Sequence, residues 1–271
     1  MFIRSNGIDL HVQQRGAGLP ALVFLHYWGG SSRTWHHVID DLDDEFRTIA
    51  IDHRGWGKSD KPESGYALAD LAADAMGVIT EMALQRYILV GHSMGGKVAQ
   101  RIAAQRPAGL KGLVLVAPSP PSPLGLPEEV RRGMVSAYAT RESIIATVEQ
   151  VLAPNGLCDA DLEMVIEDSL RGAPAAIAAW PLATSQEDIT ALASRIEVPT
   201  IVISGEDDRV DPPAILRREL LPRVPQAQLH LLAGVGHLSP LEAPGAIADL
   251  VRTFARAVMP DLTAPASTTG R

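Results

Sequence analysis

One serine of the chain stands in a setting typical of a nucleophile. Ser93 lies between Gly91 and Gly95 in the stretch LVGHSMGGKVA, directly after an apolar run and directly before a segment of helical periodicity. The pattern G-x-S-x-G between a strand and a helix is typical of a sharp turn that holds a serine hydroxyl above the edge of a sheet, and the glycines make room for that turn. The first amides of the following helix would stabilise negative charge on a substrate oxygen. We therefore predict a nucleophile here rather than an incidental turn residue.

A serine hydroxyl is a weak nucleophile unless a base takes its proton and a third group orients the base. His237, in LAGVGHLSPLEAP, is the best candidate base, because it follows the last predicted strand in a glycine-containing loop. The orienting acid is expected in VISGEDDRVDPP, which follows the preceding strand. The chain order serine, acid, histidine is the one expected when the three groups lie on successive strand ends. That loop offers four carboxylates, and the residues alone leave the choice open: Glu206, Asp207, Asp208 and Asp211.

The other histidines have less favourable positions for a base. We expect His92 to point away from Ser93, because the two are adjacent in the chain, and His230 to pack within a strand. Four early histidines are expected at surface or loop positions: His11, His36, His37 and His53.

The elements that would position these residues alternate along the chain. Short β-branched runs alternate with longer segments of helical periodicity, which predicts an α/β fold with a mostly parallel sheet covered by helices on both faces. Asn6-Gly7 between two alternating segments predicts a hairpin and an antiparallel edge. The predicted strands span 20–27, 46–52, 87–93, 112–118, 199–205 and 227–234, and the predicted helices span 34–42, 68–84, 94–106 and 240–257.

One connection is too long for a simple crossover between parallel strands. About eighty residues separate the runs LVLVAP and PTIVISG, and they carry several amphipathic segments but no convincing strand. We predict that 121–195 is a helical cap inserted into a core domain formed by 1–120 and 196–259. The small, polar residues of 260–271 are expected to form a flexible tail.

Composition limits the classes of partner. The formal net charge of −8, with no compensating basic stripe, disfavours nucleic acid and an anionic membrane surface. The single cysteine, Cys158, permits no internal disulfide, and the N-terminus lacks the apolar core of a signal peptide. A cytoplasmic location and a small-molecule substrate are therefore expected. No H-E-x-x-H or Cys/His cluster indicates a metal and no Gly-rich nucleotide loop indicates a dinucleotide, so the predicted chemistry needs no cofactor.

Five stretches resemble successive motifs of the α/β-hydrolase superfamily, in the family's order. They are LHYWGGSSRTW, IDHRGWGKSDKP, LVGHSMGGKVA, ISGEDDRVDPP and GVGHLSPLEAP, and the resemblance extends from residue 8 to about residue 257. It implies that Asp208 is the acid, because the family pattern G-x-x-D-x-x-x-P matches Gly205, Asp208 and Pro212. It also implies that the backbone amides of Trp28 and Met94 form the oxyanion hole, and that Asp52 has a structural role.

The residue at position 93 narrows the choice of relatives. Dehalogenases and epoxide hydrolases of this superfamily have an aspartate there, whereas this chain has serine. The chain is most similar to the carboxylesterases, enol-lactone hydrolases and non-haem haloperoxidases, which implies a serine hydrolase of an ester, thioester or lactone. Two alternatives stay open: the same three residues could hydrolyse a carbon-carbon bond of a dicarbonyl compound or catalyse perhydrolysis, and the fold could serve as a ligand receptor with slow or absent turnover.

Tyr27 departs from the family pattern, which most often has glycine after the histidine of this loop. Its side chain could turn into the core domain, or it could stand in the pocket with its hydroxyl near the reacting carbonyl. We predict the second arrangement and therefore a substrate-binding role. Tyr138 and Trp180 are the only aromatic residues of the predicted cap, and each could contact the substrate or pack the cap onto the core.

Overall fold

An eight-stranded sheet forms the centre of the structure, a computed structural model that describes residues 1–259. The strands are β1 (Phe2–Ser5), β2 (Ile8–Arg15), β3 (Ala21–Leu25), β4 (Arg47–Ile51), β5 (Tyr87–His92), β6 (Leu110–Val116), β7 (Thr200–Gly205) and β8 (Gln228–Leu232). Their spatial order is β1-β2-β4-β3-β5-β6-β7-β8. β1 and β2 pair antiparallel, and β2 is antiparallel to β4. The six strands β3 to β8 all run parallel. The α/β fold and all six predicted strands are confirmed.

The N-terminal hairpin also forms as predicted. Asn6 and Gly7 have φ values of 46° and 83°, which two-residue hairpin turns of the primed type require at both central positions. The predicted tail, 260–271, lies outside the described residues.

Eleven α-helices surround the sheet in the described part of the chain. They are α1 (His36–Asp40), α2 (Leu68–Glu81), α3 (Met94–Ala103), α4 (Glu128–Met134), α5 (Arg141–Thr147), α6 (Asp159–Leu170), α7 (Pro174–Leu182), α8 (Thr190–Ala193), α9 (Pro213–Glu219), α10 (Ser239–Glu242) and α11 (Pro244–Val258). The predicted helix 34–42 is a 3₁₀ turn, Ser32–Trp35, followed by α1, and the predicted helix 240–257 is divided into α10 and α11. The sequence analysis did not predict α9, a helix of only seven residues that begins at Pro213, the second of two successive prolines.

The central strands are buried on both faces, which explains their continuous apolar sequences. Every residue of β3 and β5 is buried, as expected for parallel strands covered by helices on both sides. Alternate residues point to opposite faces, so Val23 and Leu25 pack with α2 and α3, while Leu22 and Phe24 pack with α1 and α11. Because the strands are parallel, the loops after β5, β7 and β8 leave the same edge of the sheet.

The segment between β6 and β7 contains α4 to α8, and no strand occurs among its residues. A π-helical turn, Val148–Leu152, follows α5. Apolar side chains of this segment, including Tyr138, Ile144 and Trp180, belong to the same hydrophobic cluster as Tyr27 and Trp28 of the core. The division into a core and a cap at 121 and 195 remains our proposal, and the name cap refers to residues 121–195. None of the helices within residues 1–259 combines the length and the apolar character needed to cross a bilayer.

Candidate active site

Ser93 occupies a strained turn between a strand and a helix. β5 ends at His92 and α3 begins at Met94, and the serine between them has φ 53° and ψ −115°. A positive φ is costly for a residue with a side chain and occurs most often where function requires it. The turn aims the Ser93 hydroxyl at His237, whose Nε2 lies 2.9 Å from Oγ.

The glycines on either side of Ser93 are sterically required. A Cβ at Gly91 would lie 2.5 Å from the Gly95 carbonyl oxygen, and a Cβ at Gly95 would lie 2.4 Å from the carbonyl oxygen of Leu25. Both distances are far below van der Waals contact with backbone atoms that have no freedom to move. The G-x-S-x-G pattern therefore reflects the close packing of α3 against β3 and β5.

Asp208 and His237 form a buried pair beside this hydroxyl. Nδ1 of His237 lies 2.8 Å from Oδ2 of Asp208, while the amides of Val210 and Asp211 donate to the other carboxylate oxygen at 2.8 and 3.0 Å. Burial alone would raise the pKa of Asp208, but the imidazole and the two amides hold it below its ordinary value. Burial alone would lower the pKa of His237, but the charge and hydrogen bond of Asp208 raise it above 6.5.

The other three carboxylates of this loop are not placed against the imidazole. Glu206 and Asp207 are exposed. Asp211 is buried and accepts a hydrogen bond from Ser119 at 3.1 Å, and burial raises its pKa to about 7. The structure therefore brings Ser93, His237 and Asp208 together, as the sequence analysis expected, and their catalytic role remains a prediction.

The loop that carries His237 is bound to the cap through backbone atoms. The carbonyl oxygen of Leu152, at the end of the π-helical turn, accepts hydrogen bonds from the amides of His237 and Leu238 at 2.7 and 3.1 Å. On the other side, Nε2 of His92 donates to the carbonyl oxygen of His237 at 2.7 Å. The imidazole of His237 is thus held by contacts from β5 and from the cap.

The two amides expected to stabilise an oxyanion are unpaired. Neither the Trp28 amide nor the Met94 amide makes a hydrogen bond with any residue of 1–259. The Trp28 side chain donates from Nε1 to the Ile177 carbonyl oxygen at 3.2 Å, and the Trp28 carbonyl oxygen accepts from the Tyr138 hydroxyl at 2.9 Å. The loop that presents the Trp28 amide is therefore held by two cap residues.

Further cap contacts hold the same loop, and sequence analysis did not find them. Asp168 accepts from the Ser31 hydroxyl at 2.6 Å and from the Arg33 guanidinium at 2.6 and 3.1 Å. The Ser169 hydroxyl donates to the Gly29 carbonyl oxygen at 3.0 Å. Asp168 and Ser169 end α6 within an ordinary amphipathic segment, so nothing in their local sequence marks them.

Tyr27 lines the cavity that contains Ser93 and His237. Its ring packs beside the imidazole of His92, with the ring centres 5.2 Å apart, and a Cβ at Gly30 would lie 2.4 Å from its Cε1. Its hydroxyl is buried and has no hydrogen-bond partner among the described residues. Its substrate-binding role is a prediction that these contacts leave untested.

The early histidines only partly match their expected surface or loop positions. His11 is buried on β2, so its expected position was wrong, and its Nδ1 lies 2.8 Å from Asp52. His53 lies in the loop after β4, as expected, but is buried. His26, which the sequence analysis did not discuss, is buried, and its Nε2 accepts from the His53 amide at 3.0 Å. His36 and His37 are partly exposed at the beginning of α1, which agrees with the expected surface position.

Asp52 organises the loop after β4, in agreement with the structural role that the resemblance implies. Its carboxylate accepts hydrogen bonds from the amides of Ser32 and Lys58 at 2.6 and 2.9 Å. A Cβ at Gly57 would lie 2.2 Å from that carboxylate, which explains the glycine.

A cavity of about 410 Å³ lies between the sheet edge and the cap, next to Ser93 and His237. Its lining is mostly apolar, and Arg209 is the only lysine, arginine or carboxylate among the described residues that form it. The cap supplies most of the apolar side chains, among them Leu124, Leu126, Val130, Met134, Val151 and Trp180. Such a cavity has the size and character of a site for a small, weakly polar molecule.

The site and fold can be compared with known proteins. A sequence model described as "Alpha/beta hydrolase family" matches residues 22–250. The non-heme haloperoxidase of Rhodococcus erythropolis is 30% identical over 249 residues, which are 86% of this chain and 90% of that protein. A thermophilic esterase from Thermogutta terrifontis is 28% identical, with a TM-score of 0.80 over 95% of this chain and 98% of that one. The enol-lactonase from Burkholderia xenovorans, at 24% identity, shares the fold with a TM-score of 0.83 over 94% of this chain and 99% of that one.

Proposed function

The chain belongs to the alpha/beta hydrolase family, and on this premise we propose that it is a serine hydrolase that cleaves a carboxylic ester, thioester or lactone of a small molecule. The observation that carries the proposal is the continuous contact from Ser93 through His237 to Asp208, at 2.9 and 2.8 Å, beside an apolar cavity. Similarity to an esterase at 28% identity supports the choice of an ester bond.

The proposed reaction uses only groups of this chain and water. Ser93 Oγ attacks the substrate carbonyl while Nε2 of His237 takes the hydroxyl proton, and Asp208 holds Nδ1–H and stabilises the imidazolium. The amides of Trp28 and Met94 would receive the negative charge on the carbonyl oxygen. His237 then protonates the leaving alcohol, and water, activated by the same imidazole, releases the acid from Ser93. No cofactor is needed for these steps.

The cavity supports an apolar or weakly polar acyl group. No carboxylate occurs among the described residues that line it, and most of the cap side chains facing it are aliphatic. When such side chains are buried against a hydrocarbon group, the free energy falls by about 25 cal/mol for each Å² of apolar surface removed from water. Short to medium acyl chains are therefore the expected substrates.

The first test compares Ser93→Ala with Ser136→Ala, which changes an exposed cap serine. We expect wild type and Ser136→Ala to hydrolyse p-nitrophenyl acetate, butyrate and hexanoate at similar rates. Ser93→Ala should fold normally and lose on the order of 10⁴-fold or more in kcat, because only the oxyanion site and binding would remain. A covalent serine-directed phosphonate should label Ser93. Near wild-type turnover by Ser93→Ala would contradict the proposal.

A second candidate reaction is perhydrolysis, and similarity to a non-heme haloperoxidase at 30% identity favours it. Here hydrogen peroxide would replace water in releasing the acyl group from Ser93 and give a peracid. Addition of hydrogen peroxide to the ester assay, with bromide oxidation as the readout for the peracid, distinguishes the two reactions. Tight binding of an ester without release of either product would instead favour a receptor.

A further inference from the structure

Two histidines and one carboxylate converge where α1 meets α6, away from the proposed catalytic residues. Nε2 of His37 lies 3.1 Å from both carboxylate oxygens of Asp161, and Nε2 of His36 lies 3.6 Å from Oδ1 of the same residue. The three ligand atoms all lie within 4.8 Å of one another. Asp161 is buried, while both histidines are partly exposed, so the cluster can be reached from solvent.

The hydrogen bond of His36 to the backbone leaves the other nitrogen of its ring available as a ligand. Nδ1 of His36 lies 2.8 Å from the Arg33 carbonyl oxygen, and because that oxygen only accepts, Nδ1 carries the proton. In the neutral ring, Nε2 of His36 therefore presents a lone pair to Oδ1 of Asp161. A second-sphere hydrogen bond of this kind is common for histidines that bind metals, because it fixes the tautomer and the ring orientation.

In the neutral ring of His36, the Nε2 lone pair faces Oδ1 of Asp161 at 3.6 Å, and a cation between these two atoms would relieve their repulsion. The Cys158 thiol donates to Oδ2 of Asp161 at 3.2 Å. Oδ1 lies near Nε2 of both histidines. Two ligands on one tetrahedral zinc ion are roughly 3.3 Å apart when each bond is about 2.0 to 2.1 Å. The distances of 3.1 and 3.6 Å from the two Nε2 atoms to Oδ1 lie on either side of this value.

We propose that His36, His37 and Asp161 bind a zinc ion that joins α1 of the core to α6 of the cap. Imidazole nitrogens and one carboxylate suit Zn²⁺ and disfavour the hard cation Mg²⁺, which prefers an octahedral set of oxygen ligands. Sequence analysis predicted no metal because Asp161 lies far from the two histidines in the chain, 124 positions after His37.

The bound ion would restrain the helix that holds the oxyanion loop. α6 carries Asp168 and Ser169, which bond to Ser31, Arg33 and Gly29 as described above. A zinc ion at the beginning of α6 would fix that helix against α1 and so oppose separation of the cap from the core. The expected result is a folded state that is stabilised by zinc, with or without substrate.

The test uses the untagged full chain after removal of metals with EDTA and dialysis. Equilibrium dialysis against ZnCl₂ should give one zinc ion per chain, and a ZnCl₂ concentration 100-fold above Kd should raise Tm by roughly 5–10 °C. MgCl₂ at the same concentration should change neither quantity. Absence of stoichiometric zinc binding by the wild-type chain would overturn the proposal.

Variants separate this site from incidental binding. His36→Gln and His37→Gln alter partly exposed side chains, so they should fold, and each should weaken zinc binding at least 10-fold and reduce the Tm shift. Asp161→Asn should do the same. The matched controls are Asp159→Asn, an exposed carboxylate in the same turn of α6, and His230→Gln on β8, which should bind zinc as the wild type does. Equal binding by all five variants would show an adventitious ion only and would also overturn the proposal.

Discussion

The buried imidazole of His237 has a pKa that depends on two opposing influences, burial and the neighbouring Asp208. Asp208, at 2.8 Å from Nδ1, favours the protonated ring, whereas exclusion from water disfavours it. Because the charge and hydrogen bond of Asp208 outweigh burial, the pKa of His237 lies above 6.5. A base acts only when it is neutral, so the proposed activity should be lost as pH falls through this raised pKa.

Asp208→Asn should therefore change both the rate and its pH dependence. We expect kcat to fall by about 10³- to 10⁴-fold, because the amide cannot hold the reactive tautomer or stabilise the imidazolium. The acid limb of the kcat/KM profile should also move to lower pH, because burial, which lowers the pKa, is then less opposed. Asp207→Asn, in the same loop but exposed, should leave both unchanged. A sensitive Asp207 or an unmoved limb would contradict the assignment.

Tyr27→Phe tests whether the unpartnered hydroxyl serves the substrate. Since the hydroxyl has no partner in the described part of the chain, its loss should change the free energy of unfolding by less than about 0.5 kcal/mol. Esters with a second oxygen next to the reacting carbonyl should lose roughly 3- to 10-fold in kcat/KM, while simple esters keep theirs. An unchanged ratio between the two ester types would place the hydroxyl outside the substrate contacts.

The residues of the site differ in how far their sequence predicts them. Ser93 and its glycines are marked locally, because the turn requires glycine at fixed positions. The choice of Asp208 among four neighbours needed the family pattern, since only the three-dimensional path of the loop decides which carboxylate faces His237. Tyr138 and Asp168 were beyond prediction as supports of the oxyanion loop, because their partners lie more than a hundred positions away.

At the scale of elements, the cap and the core are joined by hydrogen bonds at the loop that would present one oxyanion donor. Tyr138 is the main example, because its hydroxyl donates to the Trp28 carbonyl oxygen and its ring lies 4.4 Å from the Trp28 ring centre. The ring contact would survive removal of the hydroxyl, whereas the carbonyl oxygen would lose its partner. The position of the loop should therefore depend on this cap residue.

Tyr138→Phe should destabilise the protein by about 1–2 kcal/mol, because a buried carbonyl oxygen is left without a donor. It should also lower kcat for esters more than it raises KM, since the Trp28 amide is proposed to act on charge that develops in the transition state. Tyr87→Phe is the matched control, because the Tyr87 hydroxyl is buried without a partner in residues 1–259. Urea denaturation and steady-state kinetics measure both effects, and equal behaviour of the two variants would contradict the proposed support.

The sheet was easier to predict than the helices that cover it. Parallel strands buried on both faces have continuous apolar sequences, so β3, β5 and β7 are visible in the chain. Helix ends depend on local capping and on proline, which explains why Pro244 divides the predicted helix 240–257. The packing of the cap was not predictable, because its apolar side chains merge with the core cluster rather than forming one of their own.

At the scale of the whole molecule, burial shifts the pKa values of several histidines and carboxyls in opposite directions. Together these groups set the pH at which the free energy of unfolding is greatest. Burial lowers the pKa values of His26, His53 and His92, and that of His92 falls to about 3. The stability that these neutral rings provide is complete above pH 6.5 and is lost as pH falls below it. Burial raises the pKa values of Asp211 and Glu242 to about 7, so their contribution is lost as pH rises toward that value.

The free energy of unfolding should therefore be greatest near pH 6.5 and should fall on both sides. Below that pH the protons of three histidines outweigh those of two carboxyls. Above it the folded state loses protons from the two carboxyls and from His237, whose pKa is raised. Asp211→Asn should raise stability at pH 8 by about 1–2 kcal/mol and have less effect at pH 5, because it removes a charge that is costly to bury. Urea denaturation at pH 5, 6.5 and 8 checks this, with Asp207→Asn as an exposed control. A larger gain at pH 5 than at pH 8 would contradict it.

The two hydrogen bonds from the His237 loop to the Leu152 carbonyl oxygen affect which changes of sequence can alter substrate specificity. A main-chain carbonyl is supplied by any amino acid, so substitutions at Thr147, Val151 or Leu152 can reshape the cavity without removing the support of the histidine. Wholesale exchange of the cap with that of a homologue is different, because it replaces the backbone that provides this carbonyl. Evolution of new specificity, or its engineering, should therefore proceed more readily by point substitution within this cap than by recombination of entire caps.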